Sequence, residues 1–163
     1  MIALLAVCLS SCGTGFLLPA EPKASFDPVA FFEGHTHGEG ELRKVFDKPI
    51  HVRVDSVGRR VAGGLILDQT IREGGKPPSR RRWVIQRVAR DRYTGSLTEA
   101  VGPVTAEVSG TRAEIEYKMR HDLSVEQRLA EQPGGTRVLN RLTVRKLGVK
   151  VATLTETITK GGS

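Results

Sequence analysis

The chain has 163 residues, enough for one domain with a single buried core. Its 39% apolar and 26% charged content excludes a disordered chain, and its 18 glycines and eight prolines suit many short strands joined by turns. The formal net charge is +7, yet aromatic residues are only 5%, which argues against a base-stacking module, so no nucleic-acid partner is expected.

Residues 1–11 carry no charged side chain, and Ile2 to Leu9 is continuously apolar. That run falls far short of the roughly 20 residues needed to span a bilayer as a helix. It suits the apolar region of a secretory signal, without the usual basic start. Leu9-Ser10-Ser11-Cys12-Gly13 resembles a bacterial lipoprotein lipobox: a branched aliphatic, two small residues, then the cysteine. The resemblance implies a signal peptide at residues 1–11, diacylglycerol on Cys12 and a tether over residues 12–25. The expected partner is then a membrane, held through the acyl chains. Gly13, where an Asp would signal inner-membrane retention, favours the outer membrane. The expected location is the bacterial cell envelope, facing the periplasm. Cys8 and Cys12 are the only cysteines, so the domain beyond them has neither a disulfide nor a thiolate zinc site.

Next, Phe26-Asp27-Pro28-Val29-Ala30-Phe31-Phe32-Glu33-Gly34 reads as a helix of one or two turns. Asp27 caps it, Pro28 suits its first position and Gly34 stops it. Phe31 and Phe32 are placed to plug something. The pattern then changes to period two. Gly38-x-Gly40-x-Leu42 leads into Val45-Phe46, and Ile50-x-Val52-x-Val54 alternates strictly. Leu65-x-Leu67 follows, then candidate strands at 83–88, 93–98, 101–108, 113–119, 123–129, 138–147 and 151–158. Turn signals separate them, among them Gly74-Gly75, Ser109-Gly110 and Pro133-Gly134-Gly135. Nine or ten short strands indicate an antiparallel barrel or sandwich, a single domain over residues 26–160.

Charge is uneven. Residues 80–92 hold six arginines and one acid, Asp91. Arg80, Arg82, Arg90 and Arg92 flank or alternate with Trp83-Val84-Ile85, as a solvated strand face would; the alternative is a patch for anionic lipid or polysaccharide phosphate. His35 and His37 share one strand face with Glu39 and Glu41, a ligand set for zinc or copper. Same-face residues stand roughly 6.5–7 Å apart, so four rarely converge on one ion. His35 and His37 are weak metal candidates, and no metal or cofactor is expected. His51 and His121 read as surface or packing residues. No Gly-x-Ser-x-Gly elbow exists, and Glu114 and Glu116 read as the wet face of a strand. No catalytic residue is assigned, and an enzyme is not expected.

Several fragments together resemble one family. Phe31-Phe32-x-Gly34 and Gly38-x-Gly40 come first, then Arg81-Arg82-Trp83, Tyr93-x-Gly95 and Val101-Gly102. Most distinctive is Val138-Leu139-Asn140-Arg141 continuing to Lys146-Leu147-Gly148-Val149. Their order over residues 26–160 resembles the bacterial lipoprotein family called domain of unknown function 3833. The resemblance implies a lipocalin-like, calycin-type antiparallel barrel of about 8–10 strands with a short N-terminal helix, exported as a lipoprotein and without an established activity. It departs from the family's pattern at Gln69-Thr70-Ile71, Thr98-Glu99-Ala100 and Arg128-Leu129-Ala130-Glu131, where acidic or aromatic residues are expected. In lipocalin-like folds an Arg stacked on a Trp closes the barrel end, and Arg82 or Arg141 with Trp83 is assigned that contact. Phe31 and Phe32 close the base, and Asn140 belongs to the same packing group. The expected function is binding of an apolar or amphipathic ligand such as a lipid. The alternative is a filled barrel serving as an envelope structural or interaction protein.

Overall fold

The computed structural model describes residues 25–161. The expected signal segment, Cys8, Cys12 and the tether as far as residue 24 lie outside the described residues. The helix forms as its capping residues dictate. Asp27 Oδ1 accepts from the backbone N–H groups of Val29 (2.9 Å) and Ala30 (3.2 Å), and Pro28 opens α1 (Pro28–Phe32). Gly34, at φ 84°, turns the chain into the first strand.

Ten strands follow: β1 (Gly34–Lys44), β2 (Ile50–Val61), β3 (Gly64–Glu73), β4 (Ser79–Ala89), β5 (Arg92–Leu97), β6 (Val104–Ser109), β7 (Arg112–Met119), β8 (Leu123–Glu131), β9 (Arg137–Lys146) and β10 (Val149–Lys160). Each pairs antiparallel with the next, and β10 returns onto β1, so the sheet is a closed up-and-down barrel. Every strand has both neighbours within residues 25–161, which makes this segment a self-contained folding unit with no open edge.

Two strand ends differ from expectation. Val45-Phe46 does not extend β1; Phe46 sits at φ 68°, in the left-handed region, and turns the chain toward β2. The run expected from Val101 starts as strand only at Val104, because Gly102 takes φ 86° and Pro103 cannot donate to a ladder.

The two barrel ends are unlike. One carries the links 62–63, 90–91, 110–111 and 132–136, and α1 lies across it. Phe26, Phe31 and Phe32 are buried there in edge-to-face contact, with centroids 5.9 and 5.0 Å apart. Ties to the wall hold this plug: Asp27 to Arg87 (2.9 Å), Glu33 to Arg60 (2.7 Å), and Lys160 Nζ donating to the Ala30 carbonyl (2.6 Å). The other end carries the links 45–49, 74–78, 98–103, 120–122 and 147–148. The larger apolar cluster runs from the plug through Leu65, Trp83, Tyr117, Leu129 and Val138; a smaller one joins Val52, Val54, Ile71 and Leu154.

Candidate functional site in the barrel interior

Strand alternation puts every second residue inside, and on five strands the inner row holds one long polar side chain among apolar ones. The rows read Leu67-x-Gln69-x-Ile71 on β3, Arg81-x-Trp83-x-Ile85 on β4 and Val125-x-Gln127-x-Leu129 on β8. Val138-x-Asn140-x-Leu142 on β9 and Leu154-x-Glu156-x-Ile158 on β10 complete the set. Register aligns Ser56, Gln69 and Arg81 across β2, β3 and β4, and sets Asn140 opposite Glu156 across β9 and β10. By strand order β4 and β9 lie on opposite sides of the barrel, so the two polar groups sit on facing walls.

Between the walls is a cavity of about 80 Å³ with mostly apolar lining, into which Gln69, Arg81, Gln127, Asn140 and Glu156 reach. That is room for several water-sized groups. Part of the polar set is satisfied internally. Trp83 Nε1 donates to Gln69 Oε1 (2.8 Å), whose amide donates to Ser56 Oγ (2.9 Å), and Asn140 Nδ2 donates to Glu156 Oε2 (2.9 Å). Part is not. Arg81 Nε, Gln127 Oε1 and Asn140 Oδ1 are buried without a protein partner, as is Thr36 Oγ1. Each such orphan costs roughly 1–3 kcal/mol unless water or a bound molecule meets it.

Burial pushes the Glu156 carboxyl above its ordinary range, against the opposing pull of the Asn140 amide and of the charges on Arg81 and His37. Tyr117 packs edge-on against Trp83 (5.7 Å between centroids), and burial pushes its phenol up to about 12, so it stays protonated. The set is an arginine, three amides and a buried carboxyl, able to donate to and accept from a polar group. Among the described residues no serine, cysteine, histidine or lysine lines the cavity, and Thr94 gives its hydroxyl proton to the Val104 carbonyl.

The residues singled out from sequence separate into inside and outside. Phe31 and Phe32 are buried in the plug, and Trp83 and Asn140 are buried in the interior. The expected stacking of Arg82 or Arg141 on Trp83 is not formed. Adjacent strand residues face opposite ways, so Arg82 points outward and forks onto Asp68 (2.6 and 3.0 Å), while Arg141, next to inward Asn140, is exposed. The arginine that does cover an aromatic ring at the plugged end is Arg87, 5.0 Å from the centroid of Tyr93. The arginine stretch is not one solvated face either: Arg81 shares the parity of Trp83 and turns in. His35 and His37 lie outside. His37 bonds Asp55 (2.8 Å), which holds its imidazole above the ordinary range, and Asp55 also pairs with Arg72. Among the described residues no three ligand-type side chains gather as a metal site. Sequence reasoning missed Arg81, Gln69, Gln127 and Glu156. Their signal was parity: each stands two residues from apolar residues on both sides, or from Trp83.

A closed antiparallel barrel with a helical plug and an internal polar group is a lipocalin-like fold. The S-type phycobiliprotein lyase CPES from Guillardia theta shares it, with TM-score 0.67 and 7% identity over 83% of this chain and 91% of that one. A protein of unknown function from the DUF3598 family, from Nostoc punctiforme, aligns with TM-score 0.57 and 9% identity, over 88% of this chain but only 53% of its own. At such identities the likeness is one of fold. No curated protein matches the sequence. The chain belongs to the DUF3833 family, described as proteins of unknown function, whose profile matches residues 6–160.

Proposed function

We propose that this protein is a lipid-anchored envelope lipoprotein that holds an amphipathic molecule, such as a lipid, inside its barrel. The polar end of the ligand meets Arg81, Gln127, Asn140 and Glu156, and its apolar part lies along Leu67, Leu129, Leu142 and Leu154. One observation carries the binding reading: polar atoms on facing walls of an apolar interior are left without protein partners. A ligand offering both donor and acceptor would satisfy them where an alkane would not. The lipobox ending at Cys12 supports the anchor.

Trp83 is the only tryptophan and lines the cavity, so it is a built-in reporter. Titrating residues 25–161 with cis-parinaric acid should quench Trp83 emission by energy transfer, and Arg81→Ala should weaken this at least tenfold, as expected for losing a charge-assisted hydrogen bond. Native mass spectrometry of the freshly purified protein should show a bound amphipath. Unquenched emission together with empty spectra would overturn the reading. The cavity size favours the second reading, a filled barrel presenting its outer face to a partner, because small-molecule pockets usually enclose about 300–1,000 Å³. Those negative results would establish it instead.

A further inference from the structure

The end of the barrel away from α1 bears exposed apolar residues that nothing in the fold uses. Val45, Phe46, Val101, Leu147 and Val149 all stand in or beside its links. Phe46 is fully exposed and Leu147 is 79% exposed. Both also occupy the left-handed region, Phe46 at φ 68° and Leu147 at φ 49°, where bulky residues are rare. Leu147-Gly148 is the two-residue turn between β9 and β10, with Gly148 at φ 83°. The residue that eases such a turn is Asn or Asp at the first position. This chain places a large apolar side chain there, where it neither packs nor suits the backbone.

The charges at this end complete the pattern. Of the seven lysines among residues 25–161, six lie here: Lys44, Lys48, Lys76, Lys118, Lys146 and Lys150. Only Lys76 is ion-paired, to Glu73 at 2.7 Å. Arg120 and Arg145 add to them, and Arg43 is paired with Glu41 (2.6 Å), against Asp47, Glu73, Glu99 and Asp122. The seventh lysine, Lys160, is tied to α1 at the plugged end.

We infer that this end docks onto an anionic phospholipid bilayer, with Phe46 and Leu147 entering below the headgroups and the lysines meeting lipid phosphates. Insertion gives both side chains the apolar surroundings they lack, and long lysines keep their charge at headgroup level while their stems lie in the interface. Arg81 is the third residue of β4 from this end. The docking does not require a loaded cavity.

The test is co-sedimentation of residues 25–161 with vesicles of phosphatidylcholine alone or with phosphatidylglycerol added. Binding to the anionic vesicles at low salt, and release as salt rises toward about 0.5 M, is the expected result. Phe46→Ser and Leu147→Asn should each lower partitioning about tenfold or more. Leu147→Asn should melt no lower than wild type, which separates lost docking from lost folding, and Phe46→Trp should keep the binding. Lys146→Ser with Lys150→Ser should cost roughly fivefold per lysine and flatten the salt dependence. Arg90→Ser and Arg92→Ser, at the plugged end, should change nothing. Equal binding to both vesicle types would overturn the inference, as would a larger loss from the two arginines than from the two lysines. Self-association abolished by Phe46→Ser, without vesicle binding, would also overturn it and assign the face to a second copy. Quenching of Trp83 by a soluble probe is read separately, so failure here leaves the cavity reading standing.

Discussion

Glu156 is where the interior is most sensitive. Its carboxyl titrates above the ordinary range because burial disfavours the charge. A group whose folded pKa lies above its unfolded one contributes its full stability below the unfolded pKa and loses it as pH rises through the folded value. Glu156→Gln removes that loss while keeping an acceptor for Asn140. The variant should melt close to wild type near about pH 4 and progressively above it toward about pH 8. A difference independent of pH, followed by calorimetry, would mean that the ionised carboxylate is fully compensated, with Arg81 the charge nearest to hand. The neighbours Arg82 and Trp83 make a second residue-scale contrast. The Arg82–Asp68 pair is exposed on both sides, so Arg82→Ala should leave the midpoint of a denaturant titration almost unchanged. Trp83→Ala empties a packed wall and should cost about 3–5 kcal/mol.

At the scale of the element, β1 is the strand that makes room. Its inner row runs Gly34, Thr36, Gly38, Gly40, and the Glu156 side chain lies over it. A Cβ on Gly38 would stand 2.0 Å from Glu156 Oε1, the far end of a side chain that can swing away. A Cβ on Gly40 would stand 2.2 Å from the Thr155 carbonyl, which belongs to the β10 backbone and cannot. Gly38→Ala should therefore fold with a small loss in melting temperature but displace Glu156 and weaken probe binding. Gly40→Ala should lose more stability than Gly38→Ala, because it forces β1 and β10 apart where the barrel closes. Melting curves of the two variants that coincide would contradict this division.

For the whole molecule, the anchor sets where the barrel works. If Cys12 carries the lipid, Cys12→Ser should abolish incorporation of labelled palmitate and leave unprocessed or soluble protein, since the thiol is the acceptor in lipoproteins of this kind. Equal labelling of wild type and variant would defeat the anchor.

Much of this architecture was legible along the chain. Period-two apolar rows set the strands, glycine-rich punctuation set the links, and Asp27-Pro28 set the helix, because each depends on residues a few positions apart. The inner parity of Arg81 and Glu156 was equally local. It stayed hidden because charged residues were assumed to lie on the wet face, as the arginine cluster around Arg82 encouraged. What no local pattern contains is which inner residues meet. Asn140 meets Glu156 through the register of the β9–β10 hairpin, but that Trp83 lies against Tyr117 three strands away, and that the links carrying Phe46 and Leu147 become neighbours, follow from the return of β10 onto β1. Closure fixes strand tilt and stagger together, and those quantities belong to the closed sheet as a whole.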